Sequence, residues 1–519
     1  FLSIIMDYYG LLGCGVVVVL GWTLIHVIRF YNKKKILLPP GPFSLPFIGN
    51  LHNLILGGDQ PHTSFWRLAH KYGPIMTLKL GQKTTIVISS SLVAKEAFKK
   101  QDLALSSKID KDALHAHGHN QFSVIFLPAS SSRRKYLRKL LHSSIFSPNR
   151  LDASQHLRAR KIEEFIAYCR QCSQYGTPVD IGQVASDTLV NIWSNTIFSE
   201  DLVDIYADPV KKFKHVIRYI TYLIGKLNMV DYFPLLKGID PQRINKNSFT
   251  TYEKLLRIFR GFIDQRLEQR NISTTVRSTN DFLDVLLNIR EEEEKKGDVN
   301  AILMDRNQIQ HLCLDIFVSG SDSSSAVLEW AMLELMKNPE TMKRAKAELA
   351  QVVGDENKTI EEKDVGRLPY LQCIVKETLR IHPPSSLLTR KAEQDVELCG
   401  YFVPKGSQVL VNVWAIGRDL DIWEDPLAFK PERFWDSINL DFHDNNFELI
   451  PFGVGRRMCV GLPLAIRAIP AMLGSLLNSF DWALEENIAP KDLEEKFGLI
   501  LAKSRPLRLV PIPLYSRRT

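Results

Sequence analysis

Phe452-Gly-Val-Gly-Arg-Arg-Met-Cys-Val-Gly461 is the stretch on which the reading of this chain turns. It carries one cysteine, Cys459, on a glycine-rich loop that runs into an apolar, helix-like segment from Leu462 to Leu477. The spacing fits FxxGxRxCxG, with Phe452, Gly455, Arg457, Cys459 and Gly461 at the fixed positions. Gly453 and Gly455 let backbone lie against a flat ligand, Arg457 can neutralise a carboxylate on it, and Gly461 leaves room beside the sulfur. A thiolate presented this way suits an iron centre.

Three further motifs accompany the loop. Lys376-Glu-Thr-Leu-Arg380 puts Glu377 and Arg380 at i and i+3 on one face of a helix that ends at His382-Pro383-Pro384. Pro431-Glu-Arg-Phe434 follows it. Ser319-Gly-Ser-Asp-Ser-Ser324 interrupts a segment whose apolar residues, Ile309, Leu312, Cys313, Ile316 and Phe317, keep helical spacing until Asn338-Pro339. Hydroxyl side chains in mid-helix compete for backbone hydrogen bonds, so a kink is expected there.

With these residues in this order, the chain resembles the cytochrome P-450 haem-thiolate monooxygenases. The resemblance runs from about Leu38 to Pro513 and implies a mainly α fold with a small β-rich portion. It implies haem b (iron protoporphyrin IX), with Cys459 as axial ligand to the iron and Arg138, Arg390 and Arg457 on its propionates. Arg433 is expected to join Glu377 and Arg380 in a buried triad behind the haem loop. The kinked helix is expected to cross the haem, with Asp322 and Ser323 as the acid and alcohol that relay protons. Ser323 stands where the family usually has threonine. Arg134 stands where it usually has a tryptophan that binds a propionate. Electrons are expected from NADPH, indirectly, through NADPH-cytochrome P-450 reductase docking near the basic cluster Arg133 to Lys139, with cytochrome b5 as a second donor.

Within the family, Leu462-Pro-Leu-Ala-Ile-Arg-Ala-Ile-Pro470, Leu476-Leu-Asn-Ser-Phe-Asp-Trp482 and Leu328-Glu-Trp-Ala-Met-Leu-Glu-Leu335 resemble plant terpenoid oxidases of the geraniol hydroxylase and ferruginol synthase group. The pocket segments expected from that resemblance contain Phe122, Phe126, Ile316, Phe317, Ser319, Leu388 and Ile500, together with Met229 to Phe233. They are mainly apolar, which implies a small lipophilic substrate held by few polar anchors. Two alternatives stay open: peroxide rearrangement without a reductase, and a haem or scaffold protein without turnover. An acid and alcohol pair at 322 and 323 argues against the first.

Composition sets the remaining bounds. The 519 residues would allow about three domains. No repeat or long linker divides them, and the expected organisation is a membrane anchor (1–30), a basic, proline-rich hinge (31–50) and one haem-containing catalytic domain (51–519). Seven scattered cysteines form neither a disulfide framework nor a zinc pattern, which suits a reducing compartment. From Tyr8 to Ile28 the chain is almost uncharged, and about 20 helical residues at about 1.5 Å each span the roughly 30 Å hydrocarbon core. Arg29, Lys33, Lys34 and Lys35 follow it, so the expectation is a single-pass endoplasmic reticulum protein with a cytosolic catalytic body. Met6 is a candidate start. Asn271-Ile-Ser and Asn357-Lys-Thr would face the cytosol, and Glu291 to Lys296 reads as a solvated loop. The net charge of +8 suits an acidic flavoprotein partner, and nothing beyond charge supports nucleic acid as one.

Overall fold

The computed structural model describes residues 37–514, apart from 56–59, 207–211, 273–280, 297–303, 355–357, 436–441, 443–445 and 486–493. The expected membrane helix at 8–28 and the question of Met6 lie outside the described residues. Among them, one helix is apolar and long enough to cross a membrane, Leu462–Ser479, but 72% of it is buried inside the protein. It is the central core helix.

The body is helical. Its main helices are α1 (Ser132–Leu141), α2 (Gln155–Gln174), α3 (Ile181–Phe198), α4 (Lys212–Gly225), α5 (Ile244–Ile272), α6 (Phe282–Lys295), α7 (Arg306–Gly320), α8 (Asp322–Lys337), α9 (Pro339–Val353), α10 (Pro369–Ile381) and α11 (Leu462–Ser479). Prolines mark their ends: Pro339 and Pro369 open α9 and α10, where a missing N–H costs nothing. One apolar core unites α2, α3, α8, α9, α10 and α11, and a second lies between α5 and α7. Glu291 to Glu294, expected in a loop, form the last turns of α6, where Arg290 Nε donates to Glu294 at 2.8 Å, a favourable i,i+4 pair.

The β portion is small. Strands β1 (Ile75–Leu80), β2 (Lys83–Ile88), β4 (Leu387–Lys391) and β5 (Gln408–Asn412) form a sheet in the order β1-β2-β5-β4, with β2 and β5 parallel. A second sheet joins β3 (Val179–Asp180), β7 (Arg508–Pro513) and β6 (Phe480–Leu484), in the order β3-β7-β6.

Glu377 and Arg380 are both within 1% of complete burial. Arg380 makes two 2.7 Å bonds to the Glu377 carboxylate, and Arg433 Nε adds a third at 3.0 Å. Remaining donors of the two arginines reach the carbonyls of Pro426, Ala428 and Glu424. The triad thus ties α10 to the segment that leads into the cysteine loop.

Candidate active site

The cysteine loop is shaped by two glycines in the left-handed region, Gly453 (φ 71°) and Gly455 (φ 64°). A Cβ at Gly455 would also collide with the Asp102 carboxylate. Gly461 differs from expectation: a Cβ there would sit 3.7 Å from Cys459 Sγ and 3.8 Å from Phe146, ordinary contact distances, so space beside the sulfur does not by itself demand glycine. The Cys459 amide donates to the Phe452 carbonyl at 2.9 Å, which folds the loop back on itself. The sulfur lies deep in the protein, yet Cys459 is exposed, because the surface it presents is that of an internal cavity of about 450 Å³. Burial raises the thiol pKa, against the Gly461 and Leu462 amides at the start of α11 and the positive Arg138. A bound metal cation removes such a proton outright.

Cations gather along one part of the same cavity: Lys108, Lys111, Arg134, Arg138, Arg390 and Arg457 all line it. Arg457 donates to the carbonyls of Ser106, Ile125 and Leu127, which fixes its position without neutralising it. Burial and then the charges of Arg134, Arg390 and Arg138 push its pKa down to about 9. Arg134 and Arg390 are pushed to about 10, mainly by burial, with the charge of Arg138 adding to the effect at Arg134, that of Arg134 at Arg390, and Asp102 opposing both. Arg134, which stands where the family usually has a tryptophan, is buried, donates to the Arg456 carbonyl at 2.8 Å, and keeps a buried Nε without a partner. Guanidiniums crowded together with an orphaned donor fit a dianionic ligand. The residues therefore fit haem b: Cys459 would hold its iron and the arginines its propionates.

Lys108 escaped the sequence reading. Its pKa is driven well below the ordinary value by burial, then by Arg390, Arg457, Lys111 and Arg134. The Lys391 amide bonds to the Ser107 carbonyl at 2.9 Å, and this contact brings Lys108 alongside β4. Neither 108 nor its neighbours in sequence announce the contact. Strand β4 buries Leu388 and Arg390 on one face, so one strand supplies both apolar wall and cation.

Opposite the cysteine loop, the long helix breaks at Ser321, between α7 and α8. Ser319, Ser321, Ser323 and Ser325 donate their hydroxyls to the carbonyls of Asp315, Phe317, Ser319 and Asp322, at 2.6, 2.8, 2.8 and 3.1 Å. Four such back-bonds in seven residues account for the bend. Ser323 lines the cavity. Asp322 does not: it turns toward α3 and α4, where Ser186 Oγ donates to it at 3.4 Å. Burial raises its pKa, opposed by Arg218, Lys214, Ser186 and Thr221.

Phe126, Ile316, Ser319, Leu388 and Ile500 line the cavity as expected of them, and Phe452 of the cysteine loop lines it too. Phe122 and Phe317 do not. Phe317 follows Ile316 by about 100° around the helix, which turns it into the core against Phe198, Phe213 and Phe259. Phe122 stacks on His311 at 4.8 Å with Arg133 over its other face, outside the lining.

Comparison with known proteins agrees with this geometry. The family model for Cytochrome P450 matches residues 39–510. The chain is 56% identical to geraniol 8-hydroxylase of Swertia mussotii over 495 residues, 95% of this chain and 97% of that protein. It is 54% identical to geraniol 8-hydroxylase of Catharanthus roseus (98% and 100% covered) and 42% identical to drimenol monooxygenase of Persicaria hydropiper (98% and 97%). A thiol facing an internal cavity, a cluster of cations along one part of it and a bent helix that also lines it are what such a family needs, and the chain belongs to the cytochrome P450 family of haem-thiolate monooxygenases.

Proposed function

We propose that this protein is an NADPH-dependent, reductase-coupled monooxygenase that inserts one atom of dioxygen into a C–H bond of a small plant terpenoid. The observation that carries the reading is the cavity itself: Phe126, Ile316, Val318, Leu388, Leu499 and Ile500 line the space reached from Cys459 and Ser323. Apolar walls exclude water and orient a lipophile by shape. The relatives' names supply the substrate class, since geraniol and drimenol are both terpenoid alcohols. Haem held by Cys459 supplies oxygen activation, the thiolate's electron donation favouring O–O cleavage. Microsomes containing the protein and a reductase, given NADPH and a terpenoid panel, should form an oxygenated product that depends on NADPH. No such product across the panel would overturn the reading.

Ser323 Oγ donates to the Ser319 carbonyl, which leaves its lone pairs to hold a cavity water. Asp322 stands behind the helix break and reaches that water by turning its side chain, so the alcohol holds the proton path in place and the acid refills it. General acid catalysis contributes typically about 10²- to 10⁴-fold. Ser324 also lines the cavity and substitutes in part, so Ser323→Ala should lower product per NADPH consumed by about tenfold to a hundredfold while hydrogen peroxide release rises. Ser323→Thr keeps the hydroxyl and should couple at least as well as the native enzyme. If alanine couples as well as serine, the hydroxyl serves only the bend.

We place the body on the cytosolic face of the endoplasmic reticulum, held by the apolar N-terminal segment and served there by NADPH-cytochrome P-450 reductase and cytochrome b5. The reading rests on the Tyr8 to Ile28 run and the basic residues that follow it. Deletion of residues 1–35 should release much of the protein from membranes with its haem spectrum intact. Protease added outside sealed microsomes should digest the body of the full chain, and complete protection would reverse the topology.

A further inference from the structure

One acid on the cavity wall has no part in the oxidation described above. Asp315 lies one helical turn before Ser319 and two before Ser323, so the three share a face of the long helix. Its side chain is 3% exposed. Its Oδ1 accepts the Ser123 hydroxyl at 2.6 Å and lies 3.4 Å from His119 Nε2, and its Oδ2 accepts the Val124 amide at 2.7 Å. Among the described residues, no lysine or arginine forms an ion pair with it. His119 Nδ1 meets His311 Nδ1 at 2.9 Å, and burial, then His119, His117 and Arg133, lower the His311 pKa to about 3, so that imidazole is neutral.

These bonds staple the loop at 119–124 to α7, but they leave capacity unused. A carboxylate accepts about four hydrogen bonds, and Oδ2 has one. Tyr252 on α5, 1% exposed and with its ring 4.9 Å from that of His119, carries a buried hydroxyl with no partner. Its nearness to Asp315 adds to the burial that raises its pKa. Asp315, His119 and Tyr252 all line the cavity. The partners of Asp315 are Ser123, Val124 and His119, none of them among the cations grouped above.

We propose that Asp315, supported by His119 and the Tyr252 hydroxyl, anchors the hydroxyl group of an alcohol substrate. The alcohol O–H donates to Asp315 Oδ2, and its oxygen accepts from Tyr252. Eight residues at about 1.5 Å each put this anchor about 12 Å along the helix from Ser323. A terpenoid alcohol held there offers its far end to the oxidising site and keeps its alcohol carbon away from it. The anchor therefore sets which carbon is oxidised. It rests on the reading of the protein as a terpenoid oxidase.

The test uses the full-chain holoenzyme with reductase, and geraniol and its O-methyl ether as probes. Dissociation constants come from the Soret shift on titration, and the oxidised position from product identification. The native protein should prefer the alcohol by at least about tenfold, as expected of a hydrogen bond to a charged acceptor, and give one main product from it. Asp315→Asn, which keeps the shape, should reduce that preference several-fold and spread the products, with affinity for the ether nearly unchanged, whereas Tyr252→Phe, which keeps the ring but removes a donor that the alcohol and ether oxygens can both use, should weaken both ligands and spread the products. A native preference near one, an Asp315→Asn variant that weakens alcohol and ether equally, or a Tyr252→Phe variant that weakens neither, would overturn the anchor and reduce Asp315 to a loop staple. Turnover of both ligands without preference would leave the oxidase reading intact. Preference without turnover of either would sink the oxidase reading and leave the anchor standing.

Discussion

Cys459→His should abolish the strongly red-shifted Soret band of the reduced, carbon monoxide-bound protein and monooxygenation with it. All five fixed positions of the 452–461 loop are filled, and the structure turns the Cys459 sulfur toward a cavity that has cations along one part of its wall. Imidazole can coordinate iron, so the variant keeps some haem, but as a neutral ligand it lacks the thiolate's electron donation, on which O–O cleavage depends. Because the chemical step requires that donation, turnover should fall to background. The measurements are the carbon monoxide difference spectrum and product formation at matched haem content. A normal thiolate spectrum from the histidine variant would remove Cys459 as the ligand.

Glu377→Ala should cost about 3–5 kcal/mol of stability, because it strands the Arg380 guanidinium in a site where it is 1% exposed and takes from Arg433 its carboxylate partner. Against a total stability of roughly 5–15 kcal/mol, that is enough to empty most of the folded population on warming. The loss falls on the segment that leads into the cysteine loop, so haem content should drop before the helical signal does. Thermal denaturation followed by Soret absorbance and by circular dichroism separates the two. A variant that melts with the native protein and retains its haem would show that the triad does not support the loop.

What could be read from the sequence followed chain distance. The cysteine loop, the Glu377 and Arg380 pair and the serine-weakened helix are each contained within ten residues or fewer, so local spacing carried them. Even there the phase of a helix decided the detail: Ile316 was expected beside Phe317 in the pocket, and a rotation of about 100° sends the second into the core. Asp322 was expected beside Ser323 and faces the other way for the same reason. Arg433 was placed with Glu377, 56 positions away, only through the family resemblance, and other contacts made by folding left no mark. Asp315 meets Ser123 across 192 positions, and Lys108 joins Arg390 through a backbone bond between Ser107 and Lys391. The acidic run at 291–294 misled through composition, since charges paired at i and i+4 are as much at home on an exposed helix as in a loop.

Strand β4 constrains how this catalyst can diversify. Its buried face alternates Leu388, on the apolar wall, with Arg390, among the cations, and the strand is pinned by pairing with Val411 and Val409 of β5. A shift of one residue would turn both side chains to the other face together. Loss or gain of a single residue between 385 and 391 would therefore sacrifice cofactor retention along with any change in substrate preference. Replacement of Leu388 by a smaller or larger apolar residue reshapes the wall while Arg390 stays where it is. New substrate ranges on this scaffold should accordingly arise here by exchange of side chains, with the length of the strand held constant.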